Sequence, residues 1–152
     1  MRFMRIAPSL LVLATITACG GTKEAPADTT AAMAAPAMPT LATFAGTWQL
    51  SATLAGVEKP VLSTLTSSPD GATWTISLEG RPNVPMTASI VGDSLVAVSA
   101  EYESVLRKGV MVTTRTASVL VDGALTGNLV ATYKTPKGEE VVVGTVTGTR
   151  AP

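Results

Sequence analysis

The sequence predicts an all-β domain over residues 43–152, an eight-stranded antiparallel barrel in up-and-down order. Apolar and polar residues alternate there with a period of two, as in strands that bury one face. Short segments rich in Gly, Pro, Asp and Asn separate the alternating runs, which is typical of hairpin turns. No helical segment is long enough for the crossover that parallel strands need. Closure into a barrel would remove exposed sheet edges, and a two-sheet β-sandwich is the alternative.

The individual strands follow from the alternation. In the first run, Trp48, Leu50 and Leu54 share one face, and polar residues occupy the other. Pro85 cannot donate a hydrogen bond within a ladder, so we expect an edge strand or a bulge at that position. Asp122-Gly123 tolerates positive φ at both residues and predicts a tight hairpin. The eight predicted strands cover residues 47–54, 60–67, 72–79, 84–90, 94–99, 110–121, 124–134 and 140–150.

The longest connection between predicted strands covers residues 101–109. Its acidic residues come first, its basic residues last, and Gly109 follows, which favours one or two helical turns with a glycine cap. It is either a lid over the mouth of the barrel, with Tyr102 and Arg107 meeting a ligand, or a plain connector whose charges face water. We favour the connector.

The first 18 residues have the pattern of a secretory signal. Two arginines precede an apolar run, which is shorter than the roughly 20 residues that cross a bilayer. The run ends in Ile16-Thr17-Ala18-Cys19. These four residues resemble the lipobox of bacterial lipoproteins. The resemblance implies cleavage before Cys19 and attachment of a diacylglycerol to its sulfur.

A spacer, residues 19–42, separates Cys19 from the predicted domain at 43–152. It is rich in Ala, Pro and Thr, and its prolines favour an extended, solvated tether. The acyl chains on Cys19 would hold the protein on a membrane, since each buried CH₂ contributes about 0.8 kcal/mol. Gly20 after the cysteine resembles the default case of lipoproteins in the outer membrane that face the periplasm.

Composition argues against several classes of function. The chain has no histidine, and its one cysteine would be acylated, so we expect no metal site and no cofactor. Removing Arg2 and Arg5 with the signal leaves nine basic against 11 acidic residues, so we expect no nucleic-acid partner. Glu101 and Glu103 invite an acid–base interpretation, but alternating glutamates at a strand end are typical of a solvated face. We therefore expect no catalytic residues and no enzymatic activity.

Two short motifs stand at the ends of the predicted domain. Gly46-Thr47-Trp48 opens the first strand, and Gly148-Thr149-Arg150 closes the last. In this respect the chain resembles the calycins, the lipocalins and their relatives, in which a late Arg lies across the Trp of a Gly-x-Trp motif. The resemblance implies a small barrel plugged at one end by Trp48 and Arg150. In the alternative interpretation, Trp48 is a core aromatic and Arg150 a surface residue.

The interior of the predicted barrel contains many small residues. They either leave an apolar cavity or let a narrow barrel close, and we take solid packing as the default. Ligand binding would require a cavity of at least about 300 Å³. The small inward residues are Ala52, Ala88, Gly127, Ala131, Gly144 and Gly148.

These observations lead to two hypotheses of function. The first is a membrane-anchored envelope lipoprotein that binds a small apolar or amphipathic ligand inside the barrel, without catalysis. The candidate ligand contacts are Trp74, Tyr102, Arg107 and Tyr133. The alternative is a structural envelope lipoprotein that binds a protein partner through the barrel exterior.

Overall fold

The computed structural model describes residues 38–152, which contain a one-turn helix and nine strands. Every strand pairing is antiparallel, and eight of the strands close into an up-and-down barrel. The predicted fold class is therefore confirmed, and the β-sandwich alternative is wrong. The elements are α1 (Leu41–Phe44), β1 (Thr47–Leu54), β2 (Val61–Ser67), β3 (Trp74–Leu78), β4 (Val84–Val91), β5 (Ser94–Ser99), β6 (Tyr102–Glu103), β7 (Met111–Val121), β8 (Ala124–Thr135) and β9 (Gly138–Arg150).

The barrel closes where β5 pairs with β7. The register runs from Leu95 opposite Ser118 to Val98 opposite Arg115, along the middle of β7. The short β6 pairs with the N-terminal end of the same strand, with Tyr102 opposite Val112. Because β5 and β6 share one side of β7, β6 is an extra strand beside the eight that form the ring.

Pro85 does not lie on an edge strand, since β4 pairs with β3 on one side and with β5 on the other. The register from Trp74 opposite Met86 to Ile76 opposite Val84 is continuous, so there is no bulge either, and the expectation from the sequence is wrong. Pro85 lies opposite Thr75, and its carbonyl accepts a hydrogen bond of 2.8 Å from the backbone N–H of Ala100. Ala100 follows the last residue of β5, so the missing N–H falls where that ladder ends and interrupts no further pairing.

The segment from Glu101 to Gly109 contains no helix, so the predicted helical turns are also wrong. Its beginning contains β6, whose backbone pairs with the N-terminal end of β7, beyond the residues that pair with β5. The rest, Ser104–Gly109, forms a turn that we call the cap segment. The Ser104 hydroxyl accepts hydrogen bonds from the backbone N–H groups of Leu106 and Arg107, at 3.0 and 3.1 Å.

The barrel has two distinct ends. The plugged end carries α1, the β2–β3, β4–β5 and β7–β8 connections and Arg150, and the cap end carries the other connections and the cap segment. Leu41 and Phe44 of α1 pack against the core, so the folded part begins before residue 43, within the stretch predicted as tether. The core fills the plugged end and the middle of the barrel with inward-facing side chains, among them Trp48, Leu50, Leu65, Trp74, Leu95, Leu125, Leu129 and Val146.

Residues 1–37, with Cys19 and the predicted signal and lipobox, lie outside the described residues. Among residues 38–152, no helix combines the length and the apolar character needed to cross a membrane.

Candidate ligand-binding cavity

Trp48 and Arg150 meet at the plugged end. The Arg150 guanidinium lies 4.3 Å from the centre of the Trp48 ring, a cation–π contact. It also donates hydrogen bonds to the carbonyl oxygens of Ala45, at 2.5 Å, and Thr43, at 3.4 Å. The Trp48 indole N–H donates to the carbonyl of Phe44 at 2.8 Å. These contacts connect the last strand to the residues that lead into the first.

The structure shows why the Gly-x-Trp motif has glycine at position 46. Its φ is +126°, in a region that favours glycine. A Cβ atom at this position would lie 2.6 Å from Nη1 of Arg150. The guanidinium can therefore reach Trp48 and the carbonyl of Ala45 because residue 46 has no side chain.

Trp74 also belongs to the plugged end. Its ring is buried, and its indole N–H donates a hydrogen bond of 2.7 Å to the carbonyl of Gly71. It is absent from the lining of the internal cavity, so the structure does not place this candidate ligand contact at the cavity. The indole N–H finds its partner in the β2–β3 connection, and this bond holds the ring at the plugged end.

An apolar cavity of about 60 Å³ lies between the core and the cap segment. Strand residues such as Leu50, Ile76 and Leu129 form its walls, while Val105 and Leu106 of the cap segment cover it. Tyr102 and Tyr133, two of the predicted ligand contacts, both line it. The barrel is thus not packed solid, but its cavity has about a fifth of the predicted minimum volume.

The small inward residues divide between two roles. Ala52 and Ala131 line the cavity and leave its space free. A Cβ atom at Gly127 would overlap the backbone of Ala117, and one at Gly144 would overlap the carbonyl of Thr53. These glycines allow neighbouring strands to approach closely as the narrow barrel closes. The sequence could show that small residues face inward, but not which of the two roles each has.

The cavity lining contains hydroxyl groups and no charged side chain. Its buried Thr114 bonds to the Ser99 hydroxyl through its backbone N–H and its own hydroxyl, at 2.8 and 3.1 Å. Burial raises the pKa of Tyr102, and the nearby Thr114 hydroxyl opposes this shift. Every fully buried polar side-chain atom of residues 38–152 has a hydrogen-bond partner. Such a lining suits a neutral, apolar group.

Arg107 lies outside the cavity, although the sequence placed it with Tyr102 and Tyr133. Its guanidinium lies 4.3 Å from the centre of the Tyr133 ring and bonds both carboxylate oxygens of Glu140, each at 2.7 Å. The hydrogen bonds between the two side chains, and after them their opposite charges, raise the pKa of Arg107 and lower that of Glu140. Glu140 is the partner that sequence reasoning missed. Glu140 lies 33 positions from Arg107, so the two meet only because β7, β8 and β9 fold back on one another.

A solvent-open cleft of about 580 Å³ lies beside the cap segment. The β1–β2 turn, residues 55–59, forms one side, and Glu140 and Val142 of β9 form the other. Leu106 and Tyr133 line both this cleft and the internal cavity. These two side chains therefore lie between the cavity and the cleft.

The acidic residues near the cap segment make structural contacts. Glu103 accepts a hydrogen bond of 2.8 Å from the backbone N–H of Gly109 and lies 3.8 Å from Nη1 of Arg81. Arg81 also donates to the carbonyls of Glu103 and Ser104, at 3.0 and 3.2 Å. Glu101 forms an ion pair with Lys134. Within residues 38–152, no three potential metal-ligating side chains come together.

The closed eight-stranded barrel is compatible with a calycin-like domain. Comparison of the chain with known protein families and with curated proteins found no match to either.

Proposed function

We propose that this protein is a membrane-anchored envelope lipoprotein without enzymatic activity, whose barrel binds a small apolar ligand or the apolar part of an amphipathic one. The cavity carries the proposal. It is apolar, it contains no charged group, and a turn outside the barrel wall covers it. An amphipathic ligand would leave its polar part in the adjoining cleft, whose rim carries both signs of charge.

The size of the cavity limits what it can hold in this conformation. An engineered apolar cavity of about 150 Å³ in another protein accommodates benzene. The cavity of about 60 Å³ is smaller, and ordinary ligand sites begin at about 300 Å³. A ligand of ordinary size would therefore have to displace Val105 and Leu106, the side chains that cover the cavity.

Native mass spectrometry of the full chain, gently extracted from its own membranes in detergent, tests the proposal. We expect an adduct that is lost on denaturation and that neither detergent nor membrane lipid accounts for. The variant Ala131→Val adds two carbons to the cavity wall and should reduce the adduct. Thr132→Val introduces the same valine side chain at the neighbouring position, on the outer face of β8, and should leave the adduct intact. No adduct, or equal loss in both variants, would contradict the proposal.

A protein partner is the second candidate, and exposed valines on the barrel exterior favour it. Val141 and Val143 on the outer face of β9 are 59% and 60% exposed, and Val143 lies opposite Val130 of β8. The neighbouring outward positions are mostly threonine and serine. Crosslinking in intact cells should then capture a partner that Val143→Thr releases and Thr145→Ser retains. Equal capture by both variants would count against this surface.

A further inference from the structure

We propose that the cap segment is a gate, held shut by the Arg107–Glu140 pair, and that its opening joins the internal cavity to the cleft beside it. The use of this gate by a ligand rests on the proposed function. The movement itself does not, and it can be measured without a ligand.

The wall between cavity and cleft is thin. The side chains of Leu106 and Tyr133 lie between the two spaces and line both of them. Val105 and Leu106 cover the cavity while each remains 39% exposed, so little else packs over them. Moving the cap segment outward by the width of one side chain would connect the two spaces.

Few hydrogen bonds hold the turn of the cap segment together. Its own turn is held by the Ser104 hydroxyl and by a backbone hydrogen bond of 3.1 Å from Val110 to Arg107. These part-buried bonds depend on the segment being held in place, so a segment released from Glu140 would break them transiently more often and its amides would exchange faster. Arg81 fixes the base through the carbonyls of Glu103 and Ser104.

The far side of the segment is held differently. There Arg107 lies against Tyr133 and bonds Glu140 across the top of the cleft. This contact is exposed to water, where ion pairs are weak and readily broken. The segment is thus fixed at its Arg81 side and releasable at its Arg107 side, so it would swing away from the cleft.

Hydrogen exchange of the full chain, followed by mass spectrometry, tests the gate. Glu140→Gln keeps the size of the side chain and removes its charge. We expect the amides of Leu106, Arg107 and Gly109 to exchange roughly two- to fivefold faster, as loss of an exposed pair implies. Glu139→Gln is the matched control, one residue away on the same hairpin, and should leave these amides unchanged. Amides in the middle of the barrel should exchange at the wild-type rate in both variants.

Reversing the charges of Arg107 and Glu140 provides a second set of variants. Arg107→Glu alone should accelerate the same amides, and Arg107→Glu combined with Glu140→Arg should bring their exchange back towards the wild-type rate. Unchanged exchange in Glu140→Gln, or acceleration spread over the whole barrel, would overturn the gate. A stable mass adduct with an unresponsive cap segment would sink the gate and leave the binding function standing. A responsive segment with no adduct would do the reverse.

Discussion

Arg150 joins three parts of the plugged end through one guanidinium. It covers the Trp48 ring. It also donates hydrogen bonds to the carbonyls of Thr43 in α1 and of Ala45, which lies between α1 and β1. A single side chain near the C-terminus thus fixes the chain where it enters the barrel. The side chain of Trp48 is fully buried beneath it.

Replacing Arg150 by alanine should lower the free energy of unfolding by about 1–2 kcal/mol, through loss of the cation–π contact and its hydrogen bonds. Arg115→Ala, at an exposed position on the outer face of β7, is the matched control and should change stability by less than about 0.5 kcal/mol. Urea unfolding followed by tryptophan fluorescence measures both. Equal effects would mean that Arg150 is an ordinary surface arginine, the alternative that the sequence left open.

The burial of Tyr102 makes the stability of the protein depend on pH at alkaline values. Burial disfavours its phenolate, so its pKa in the folded protein is raised. Its contribution to stability is present below the unfolded pKa of about 10 and is lost as pH rises through the folded pKa. The chain has two tyrosines, so an ultraviolet titration of wild type minus Tyr102→Phe isolates this group. We expect its midpoint above 10, and a midpoint at or below 10 would contradict its burial against the cavity.

At the scale of elements, alternation located the strands because each has one buried and one solvated face. In β1 the buried positions are Trp48, Leu50, Ala52 and Leu54, the face read from the sequence. The predicted run 110–121 corresponds to Met111–Val121, which begins one residue later. The pattern works here because burial has the period of the strand itself.

Elements defined by distant contacts were not predictable in this way. The charge order of residues 101–109 favoured a helix, but the N-terminal end of β7, which β5 does not reach, pairs with Tyr102 and Glu103 as a strand. Leu41 was assigned to the tether because its neighbours are Ala, Pro and Thr, yet it packs against the core. In both places a tertiary partner overrides the local preference.

The close approach of β7 and β8 requires a residue without a side chain at position 127. Gly127→Ala would place a methyl group into the backbone of Ala117 and should lower the free energy of unfolding by at least about 2 kcal/mol. Asn128→Ala, on the outer face one position later, should cost less than about 1 kcal/mol. Chemical unfolding of both variants checks the difference. A tolerated Gly127→Ala would mean that the strands are not held this closely.

On the scale of the whole molecule, the two ends of the barrel carry different elements. The described chain reaches the barrel through α1 at the plugged end, and the cap segment lies at the opposite end. The proposed opening is therefore remote from the point where the N-terminal part of the chain joins. A tethered barrel of this kind would keep its cavity accessible from the side away from its attachment.

The volume of the cavity is a property of the whole molecule, and this is why the sequence left it undecided. Ala131 and Gly127 both face inward on β8, but Ala131 borders empty space while Gly127 meets the neighbouring backbone. Which of them leaves a void depends on how all eight strands pack together. The candidate contacts divided for the same reason: Tyr102 and Tyr133 lie at the cavity, Arg107 covers Tyr133 from outside, and Trp74 lies at the other end.

The proposed anchor is tested on the whole protein through Cys19. If acyl chains on this sulfur hold the protein on the membrane, Cys19→Ala should move it to the soluble fraction and abolish its labelling by a fatty-acid analogue. Thr22→Ala, three residues later, should change neither. Fractionation of intact cells, with a carbonate wash to remove peripheral proteins, measures the distribution. Continued retention of Cys19→Ala after the wash would refute the anchor, and it would leave the barrel and its cavity to be explained without a lipid tether.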